Sequence, residues 1–150
     1  MDKKGLRGSS SARIDEKGRL KVPAIFRGII HDQHGADVFV TSLTGENVRI
    51  YPMPVWLEIE RKLSQMPANH PSRLKFLDRV NYYGQEGELD GQGRIAIPPH
   101  LRESASIIGD VRVFGRIDYV DVWNAERFAQ RLERERWTDA DALLLSEHGI

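Results

Sequence analysis

Two short basic segments of this 150-residue chain carry side chains that can recognise phosphate groups and base edges. The first segment places Lys17, Arg19 and Lys21 around a Gly-Arg pair, and the second places Gln92 and Arg94 around another. Lysine and arginine neutralise phosphate, and an arginine can bind guanine through two parallel hydrogen bonds. This chemistry would suit the backbone and the major-groove edges of a DNA duplex.

The two segments are copies of one motif. Residues 14–23 read IDEKGRLKVP and residues 89–98 read LDGQGRIAIP, at a constant spacing of 75 residues. Both follow one pattern: apolar, Asp, two variable positions, Gly-Arg, apolar, any residue, apolar, Pro. The match continues into Phe26-Arg27 and Leu101-Arg102. Agreement over so many ordered positions indicates an internal duplication.

Each copy of the motif predicts a tight turn. Asp15 and Asp90 can accept hydrogen bonds from the backbone two residues further on, and Gly18 and Gly93 can adopt the positive φ that such a turn needs. We therefore interpret these four residues as turn-forming residues, which also orient the arginines that follow them.

A half-buried strand is predicted after each turn. In the first copy polar and apolar residues alternate strictly, which is typical of a strand with one face in the core. If Leu20 and Val22 face the core, Arg19 and Lys21 face outward. The second copy has Ala96 where the first has Lys21, so we expect the two copies to contribute unequally to DNA binding.

Further strands and helices follow each motif. The predicted strands are Val38–Thr41, Val48–Tyr51, Val111–Phe114 and Tyr119–Trp123. The predicted helices are Pro23–Ile30, Pro54–Gln65, Arg73–Tyr82 with Ser72 as its cap, Pro98–Ser106, and Asn124–Glu135 with Asn124 as its cap. Thr138 and Asp141 are typical of a capping box at the start of a last helix.

The duplication predicts the architecture. We expect a first repeat over residues 5–66, a linker helix within 67–84, a second repeat over 85–137 and a short tail over 138–150. One copy has too few short strands to bury both of its sides, whereas two copies can close their hairpins on each other. The predicted fold is therefore α+β, with duplicated swapped-hairpin modules that form an intrachain pseudo-twofold β-barrel with peripheral helices.

Composition excludes several classes of protein. The absence of cysteine excludes disulfides and thiolate metal sites, and no apolar run is long enough to cross a bilayer. The start of the chain lacks the apolar stretch of a secretory signal, so we expect a cytoplasmic protein. The net charge is zero, yet residues 1–27 carry +5 and the remainder −5. This basic end indicates either an electrostatic handle for phosphate or a solvated tail.

The doubled motif resembles the AbrB/MazE/SpoVT superfamily, and its duplication within one chain is similar to the MraZ family. Leu6-Arg7-Gly8, Ile50-Tyr51-Pro52 and Val113-Phe114-Gly115 add to a resemblance that covers roughly residues 5 to 137. The resemblance implies a DNA-binding transcriptional regulator, associated with the nucleoid, that forms homo-oligomeric rings on repeated promoter boxes. It also implies frequent repression of the protein's own division and cell-wall operon.

These arguments together predict a set of DNA contacts. We expect Arg19 to read bases, while Arg13, Lys17 and Lys21 mainly neutralise phosphate, and Lys3, Lys4 and Arg7 act as a flexible arm. The alternative for Arg19 is an ion pair with Asp15 that only fixes the hairpin. The predicted DNA-binding residues are Arg7, Arg13, Lys17, Arg19, Lys21, Gln92 and Arg94.

Two other classes of function compete with this hypothesis. An enzyme is disfavoured because His31-Asp32-Gln33-His34 lies in a predicted polar turn without an obvious third ligand, and no nucleophile–base pairing is visible. We expect no cofactor and no metal. An antitoxin or scaffold of the same superfamily usually carries one motif and a long disordered tail. Trp56 and Phe128, on the long helices, are interpreted either as subunit contacts or as core residues.

Overall fold

The computed structural model describes residues 5–150, and Lys3 and Lys4 of the predicted arm lie outside this part of the chain. The described residues form eight strands and six helices. The strands are β1 (Ser9–Arg13), β2 (Arg19–Lys21), β3 (Asp37–Thr41), β4 (Val48–Pro52), β5 (Gln85–Glu88), β6 (Arg94–Ala96), β7 (Asp110–Gly115) and β8 (Val120–Asn124). The helices are α1 (Ala24–His34), α2 (Met53–Ser64), α3 (Pro71–Tyr83), α4 (Pro99–Ser104), α5 (Ala125–Arg134) and α6 (Asp139–Ser146).

The strands pair as two antiparallel sheets. Six of them form one sheet in the order β1-β7-β8-β4-β3-β5, and β2 pairs with β6 in a separate ribbon. The strand before the first motif, β1, pairs with β7 after the second motif, and β5 before the second motif pairs with β3 after the first. The fold is α+β, as predicted, whereas closure of all the strands into one barrel stays a prediction.

The main core lies between the inner face of the large sheet, the ribbon and the helices that follow the ribbon strands. Leu20 and Ile95 stand opposite each other in the ribbon and are both buried. Phe26 from α1 and Leu101 from α4 occupy equivalent buried places in the same cluster. Because Leu20 and Val22 are buried while Lys21 is exposed, the predicted strand phase is confirmed.

A second cluster holds α2 and α3 on the outer face of the large sheet. The Trp56 side chain is only 4% exposed, and its ring centroid lies 4.6 Å from that of Phe39 and 5.0 Å from that of Tyr51. From α3, Val80 is buried in this cluster, and its carbonyl accepts a hydrogen bond of 2.6 Å from Thr41 Oγ1. Trp56 is therefore a core residue, and the linker segment contains a helix that packs on the sheet.

Three predicted helix boundaries are wrong, at the end of α1, the start of α3 and the end of α4. Helix α1 continues to His34 rather than ending at Ile30, because the first chain-reversing residue after it is Gly35, with φ of 81°. Helix α3 begins at Pro71, and its cap is His70, whose Nδ1 accepts a hydrogen bond from the backbone N–H of Ser72. A proline tolerates the first helical turn because its missing N–H would have no partner there.

The other predicted element boundaries agree closely with the structure. The four strands after the motifs lie within one residue of prediction at each end. Asn124 caps α5, and Thr138 and Asp141 form the predicted capping box of α6. The third wrong boundary is the end of α4, which stops at Ser104 rather than at Ser106, since Ser106 adopts a positive φ of 54°. Within residues 5–150, no helix combines the length and the apolar character needed to cross a membrane.

Candidate nucleic-acid interface

The first turn is organised by one carboxylate. Asp15 Oδ1 accepts hydrogen bonds from the backbone N–H groups of Lys17 (2.9 Å) and Arg19 (2.8 Å), and Oδ2 accepts one from Arg19 Nε (2.8 Å). Gly18 adopts φ of 77°, as the turn requires. Asp15 therefore shapes the turn and at the same time orients the guanidinium of the arginine that follows it.

The second turn repeats this arrangement almost atom for atom. Asp90 Oδ1 accepts from the backbone N–H groups of Gln92 and Arg94, both at 2.9 Å, and Oδ2 accepts from Arg94 Nε at 2.7 Å. Gly93 has φ of 75°. The backbone N–H of Arg94 is the main cause that lowers the pKa of Asp90 from 3.8 to about 2. Likewise, the backbone N–H of Arg19 is the main cause that lowers the pKa of Asp15.

Pairing of β2 with β6 brings the two motifs onto one surface. Lys21 stands directly opposite Arg94, and Arg19 stands opposite Ala96. Directly opposed side chains of an antiparallel pair have Cβ atoms roughly 5 Å apart, and like charges in such a pair repel. We call β2 and β6, with the outward side chains of Arg19, Lys21 and Arg94, the basic ribbon. Its charge is concentrated where Lys21 faces Arg94, whose guanidinium also forms an ion pair with Asp90.

The two arginines of the basic ribbon are partly occupied by their aspartates. Their side chains are 29% exposed for Arg19 and 30% for Arg94, and each Nε donates to the aspartate four residues earlier. The ion pair considered as the alternative for Arg19 is therefore present. A guanidinium has five N–H donors, and this contact uses the one at Nε. The ion pair is compatible with further contacts from the same side chain.

The remaining predicted site residues are spread along the first strand and the turns. Lys17 and Gln92 are exposed at equivalent positions of the two turns. Arg13 ends β1 and lies 3.2 Å from Asp110 of β7 in an exposed ion pair, which stabilises little. Arg7 is exposed but lies at the other end of β1, next to the pairing of Leu6 with Ile117. The structure thus brings all the predicted residues except Arg7 to the end of the molecule that carries the turns.

Two arginines next to the turns were absent from the predicted site. Arg27 of α1 donates from Nη1 to the backbone carbonyl of Gln92 at 2.7 Å. Arg102 of α4 occupies the equivalent place, with its guanidinium against Gly18. The signal that could have identified them was the extension of the repeat into Phe26-Arg27 and Leu101-Arg102.

The histidine cluster considered for a metal site lies in the last turn of α1, rather than in a polar turn. His31 Nδ1 is 3.7 Å from Asp32 Oδ1, and both side chains are exposed. Over residues 5–150, no three His, Cys, Asp or Glu side chains are grouped so that they could hold a metal ion.

Comparisons with known proteins agree with the doubled motif. Residues 84–145 match the family described as "MraZ protein, putative antitoxin-like". A protein of Acidobacterium capsulatum is 49% identical, over 97% of this chain and 99% of its own length. Relatives from Koribacter versatilis (47% identical, over 97% of this chain and 99% of the relative) and Syntrophobacter fumaroxidans (34%, over 91% and 90%) are also similar. All three relatives carry the name "Transcriptional regulator MraZ".

Proposed function

Because the chain belongs to the MraZ family, we propose that it regulates transcription by binding double-stranded promoter DNA through the basic ribbon. Its relatives are named transcriptional regulators, and the chain is not an enzyme. The observation that carries the proposal is the register that sets Lys21 opposite Arg94. Two like charges held face to face at the surface favour an anionic partner.

The proposed mechanism follows from the shape of the basic ribbon. A two-stranded β-ribbon is narrow enough to enter the major groove of B-DNA. In that position Arg19 and Arg94, already oriented by their aspartates, reach base edges, and Lys21 neutralises phosphate. A side chain that is held in place before binding loses less conformational entropy when it forms a hydrogen bond with a base.

The flanking residues are assigned supporting roles in this proposal. Lys17 and Gln92 lie in the turns, where they meet the phosphates on either side of the groove. Arg13 contributes charge at the end of β1, in exchange for its exposed contact with Asp110. Arg7 contacts DNA only if a neighbouring subunit or a bend in the duplex brings the far end of β1 close to it.

We further propose that the protein acts as a ring-shaped homo-oligomer on repeated short boxes upstream of its own division and cell-wall operon. There it represses transcription as a cytoplasmic, nucleoid-associated protein. One ribbon has a small footprint, so several ribbons in an assembly gain affinity through effective concentration. Exposed apolar side chains near the end of the chain support self-association, and they are Leu132, Trp137, Leu143, Leu144 and Ile150.

The finer description of the fold belongs to the same proposal. The repeats span residues 5–66 and 85–137, joined by 67–84 and followed by a tail over 138–150. The two sheets close into a pseudo-twofold barrel of AbrB-like swapped hairpins. The bridge between Ile14 and Leu20, which connects the end of β1 to the ribbon, supports this closure.

A binding assay on the full chain tests the proposal. Fluorescence anisotropy would compare the DNA upstream of the protein's own gene with a scrambled fragment of the same length, at several salt concentrations. We expect tighter binding to the upstream fragment and a loss of affinity as salt rises, because phosphate contacts release counterions. Equal affinity for both fragments at every salt concentration would contradict sequence-specific binding.

A matched pair of variants separates the ribbon from charge in general. Lys21→Gln removes a charge from the basic ribbon, and Lys75→Gln removes the same charge from the exposed surface of α3. We expect only Lys21→Gln to weaken binding and to reduce the salt dependence by about one ion. The same effect from both variants would mean that the basic ribbon is not the contact surface.

The alternative is an AbrB-fold antitoxin, or a structural or interaction protein, that does not read promoter DNA itself. The description of the matching family contains the words "antitoxin-like", which supports this alternative. In that case the purified chain alone would not distinguish the upstream fragment from the scrambled one. The same assay therefore decides between the two functions.

A further inference from the structure

We propose that Arg27 and Arg102 are positioning residues, each of which sets the DNA-binding turn that belongs to the other copy of the motif. The inference rests on the proposed function, because it treats these turns as the DNA contacts. Helices α1 and α4, which carry these two arginines, would then contribute to DNA recognition by holding the turns in place.

Arg27 holds the second turn from outside. Its Nη1 donates to the backbone carbonyl of Gln92 at 2.7 Å, between helix α1 and a turn 65 residues away in the sequence. A Cβ at Gly93 would overlap with Cδ of Arg27, so the arginine stem fills the space beside this glycine. Hydrogen bonds from a charged donor are stronger than neutral ones, and this one fixes the carbonyl just before the Gly-Arg pair.

Arg102 lies against the first turn in the same way. A Cβ at Gly18 would overlap with Cζ of Arg102. Arg102 Nε donates to the carbonyl of Ile97 at 3.0 Å, and the backbone N–H of Ile97 donates to the carbonyl of Gly18 at 3.1 Å. Arg102 therefore stabilises the first turn in two ways: by packing against Gly18, and through a hydrogen bond to Ile97, whose own N–H is bonded to the turn.

Backbone hydrogen bonds also connect the end of each motif to the turn of the other motif. The N–H of Val22, at the end of the first motif, donates to the carbonyl of Gly93 at 2.9 Å, in the same way that Ile97 donates to Gly18. Each turn is thus bonded to the strand end and packed by the arginine of the opposite copy. The orientation of Arg94 depends on Asp90 within the turn and on Arg27 from across the ribbon.

This arrangement distinguishes positioning from direct contact with DNA. A residue that binds phosphate itself adds its own free energy to binding, independently of Arg94. A residue that acts by orienting the second turn loses its effect once the side chain it orients has been removed. The expected signature is non-additivity with the opposite copy and additivity with its own copy.

A double-mutant cycle on the full chain measures this signature. We expect Arg27→Gln to weaken binding to the upstream fragment by up to about tenfold, because an Arg94 that is not held in place loses more conformational entropy on binding. Combined with Arg94→Ala, it should add less than about twofold to the loss from Arg94→Ala alone, whereas combined with Arg19→Ala the losses should multiply. Losses that multiply in both combinations, with a salt slope lower by about one, would instead identify Arg27 as a phosphate contact and overturn the proposal.

Amide resonances of the turn glycines provide a readout that needs no DNA. In the free protein we expect Arg27→Gln to shift the backbone amide signal of Gly93 and to leave Gly18 unchanged, while Arg102→Gln does the reverse. Arg27→Lys, which keeps a charged donor, should return both the Gly93 signal and the affinity part of the way to wild type. Arg79→Gln removes an exposed arginine on α3 and serves as the control for lost charge.

The experiments distinguish failure of the proposed function from failure of the positioning role. If the wild-type chain does not prefer the upstream fragment, the proposed function fails, while the glycine signals still decide whether Arg27 sets the second turn. If the Gly93 signal is unchanged in Arg27→Gln, the positioning role is wrong whatever the affinity.

Discussion

A single carboxylate organises each of the two Asp-x-x-Gly turns. Asp15 and Asp90 each satisfy two backbone N–H groups and one arginine Nε, so the same side chain closes a turn and aims a guanidinium. Both carboxyl groups have a lowered pKa, chiefly because a backbone N–H donates to the charged form. The residue type matters here because asparagine has the shape of aspartate but lacks its charge.

This lowered pKa gives a stability that depends on pH. A carboxyl whose pKa is lower in the folded state stabilises the fold above its unfolded pKa, and this contribution is lost as pH falls through the folded value. For Asp90 the window runs from 3.8 down to about 2. We expect urea unfolding of the wild type to show lower stability at about pH 2.5 than at about pH 5, and Asp90→Asn to flatten this dependence. An equally steep dependence in Asp90→Asn would show that other groups cause it.

Base reading and phosphate binding can be separated at the residues of the first turn. Arg19→Ala should cost about 1–3 kcal/mol in the difference between the upstream and the scrambled fragment, since a base contact is lost. Lys17→Ala should weaken both fragments alike and flatten the salt dependence. Anisotropy titrations with both fragments measure this. Unchanged discrimination in Arg19→Ala would restrict that residue to its ion pair with Asp15.

Among the elements, α2 and α3 show how packing rather than charge determines a helix's place. Trp56 of α2 lies between rings from the sheet and from α3, and its ring centroid is 6.3 Å from that of Phe76. The linker segment joins the two copies of the motif and also covers the outer face of the sheet. Loosening this cluster would therefore affect the relative placement of both halves of the chain.

Trp56→Ala is expected to destabilise the protein by about 3–5 kcal/mol, because it leaves a large cavity among aromatic rings. The matched control is Leu57→Ala on the same helix, since the Leu57 side chain is 54% exposed and its removal opens no cavity. Urea unfolding followed by circular dichroism compares the two. Similar losses from both substitutions would contradict the assignment of Trp56 to the core.

At the scale of the whole molecule, the two halves of the chain depend on each other. The outer strands of the large sheet are each paired with a strand from the other side of the duplication, and the ribbon takes one strand from each motif. The ribbon and its two turns, which we propose as the DNA-binding surface, thus lie within a single chain. Several of the exposed large apolar side chains lie together in sequence near the end of the described residues, on α6 and around it.

Self-association is the prediction that belongs to this scale. We expect the wild type to sediment as an oligomer at micromolar concentration, and Leu143→Ser with Leu144→Ser to shift it towards monomer, because both side chains are exposed and apolar. The double variant should lose affinity for DNA with several boxes far more than for DNA with one. A wild type that sediments only as monomer would remove the multivalent part of the proposed mechanism.

The amino-acid sequence by itself determined the features that depend on neighbouring residues. The duplication, the Asp-x-x-Gly turns and the outward phase of Lys21 follow from local spacing, turn chemistry and a period of two, which hold in any fold containing that strand. Helix caps such as Asn124 and Thr138 were predictable for the same reason.

Only the tertiary structure decided which distant residues meet. No local pattern states that Lys21 stands opposite Arg94, since strand register depends on how two separate segments pair and pack. The contact of Arg27 with Gln92 and the burial of Trp56 depend in the same way on strands and helices far apart in the chain. A propensity or a periodicity describes one segment, whereas a binding surface built from two segments is fixed by the core that holds them together.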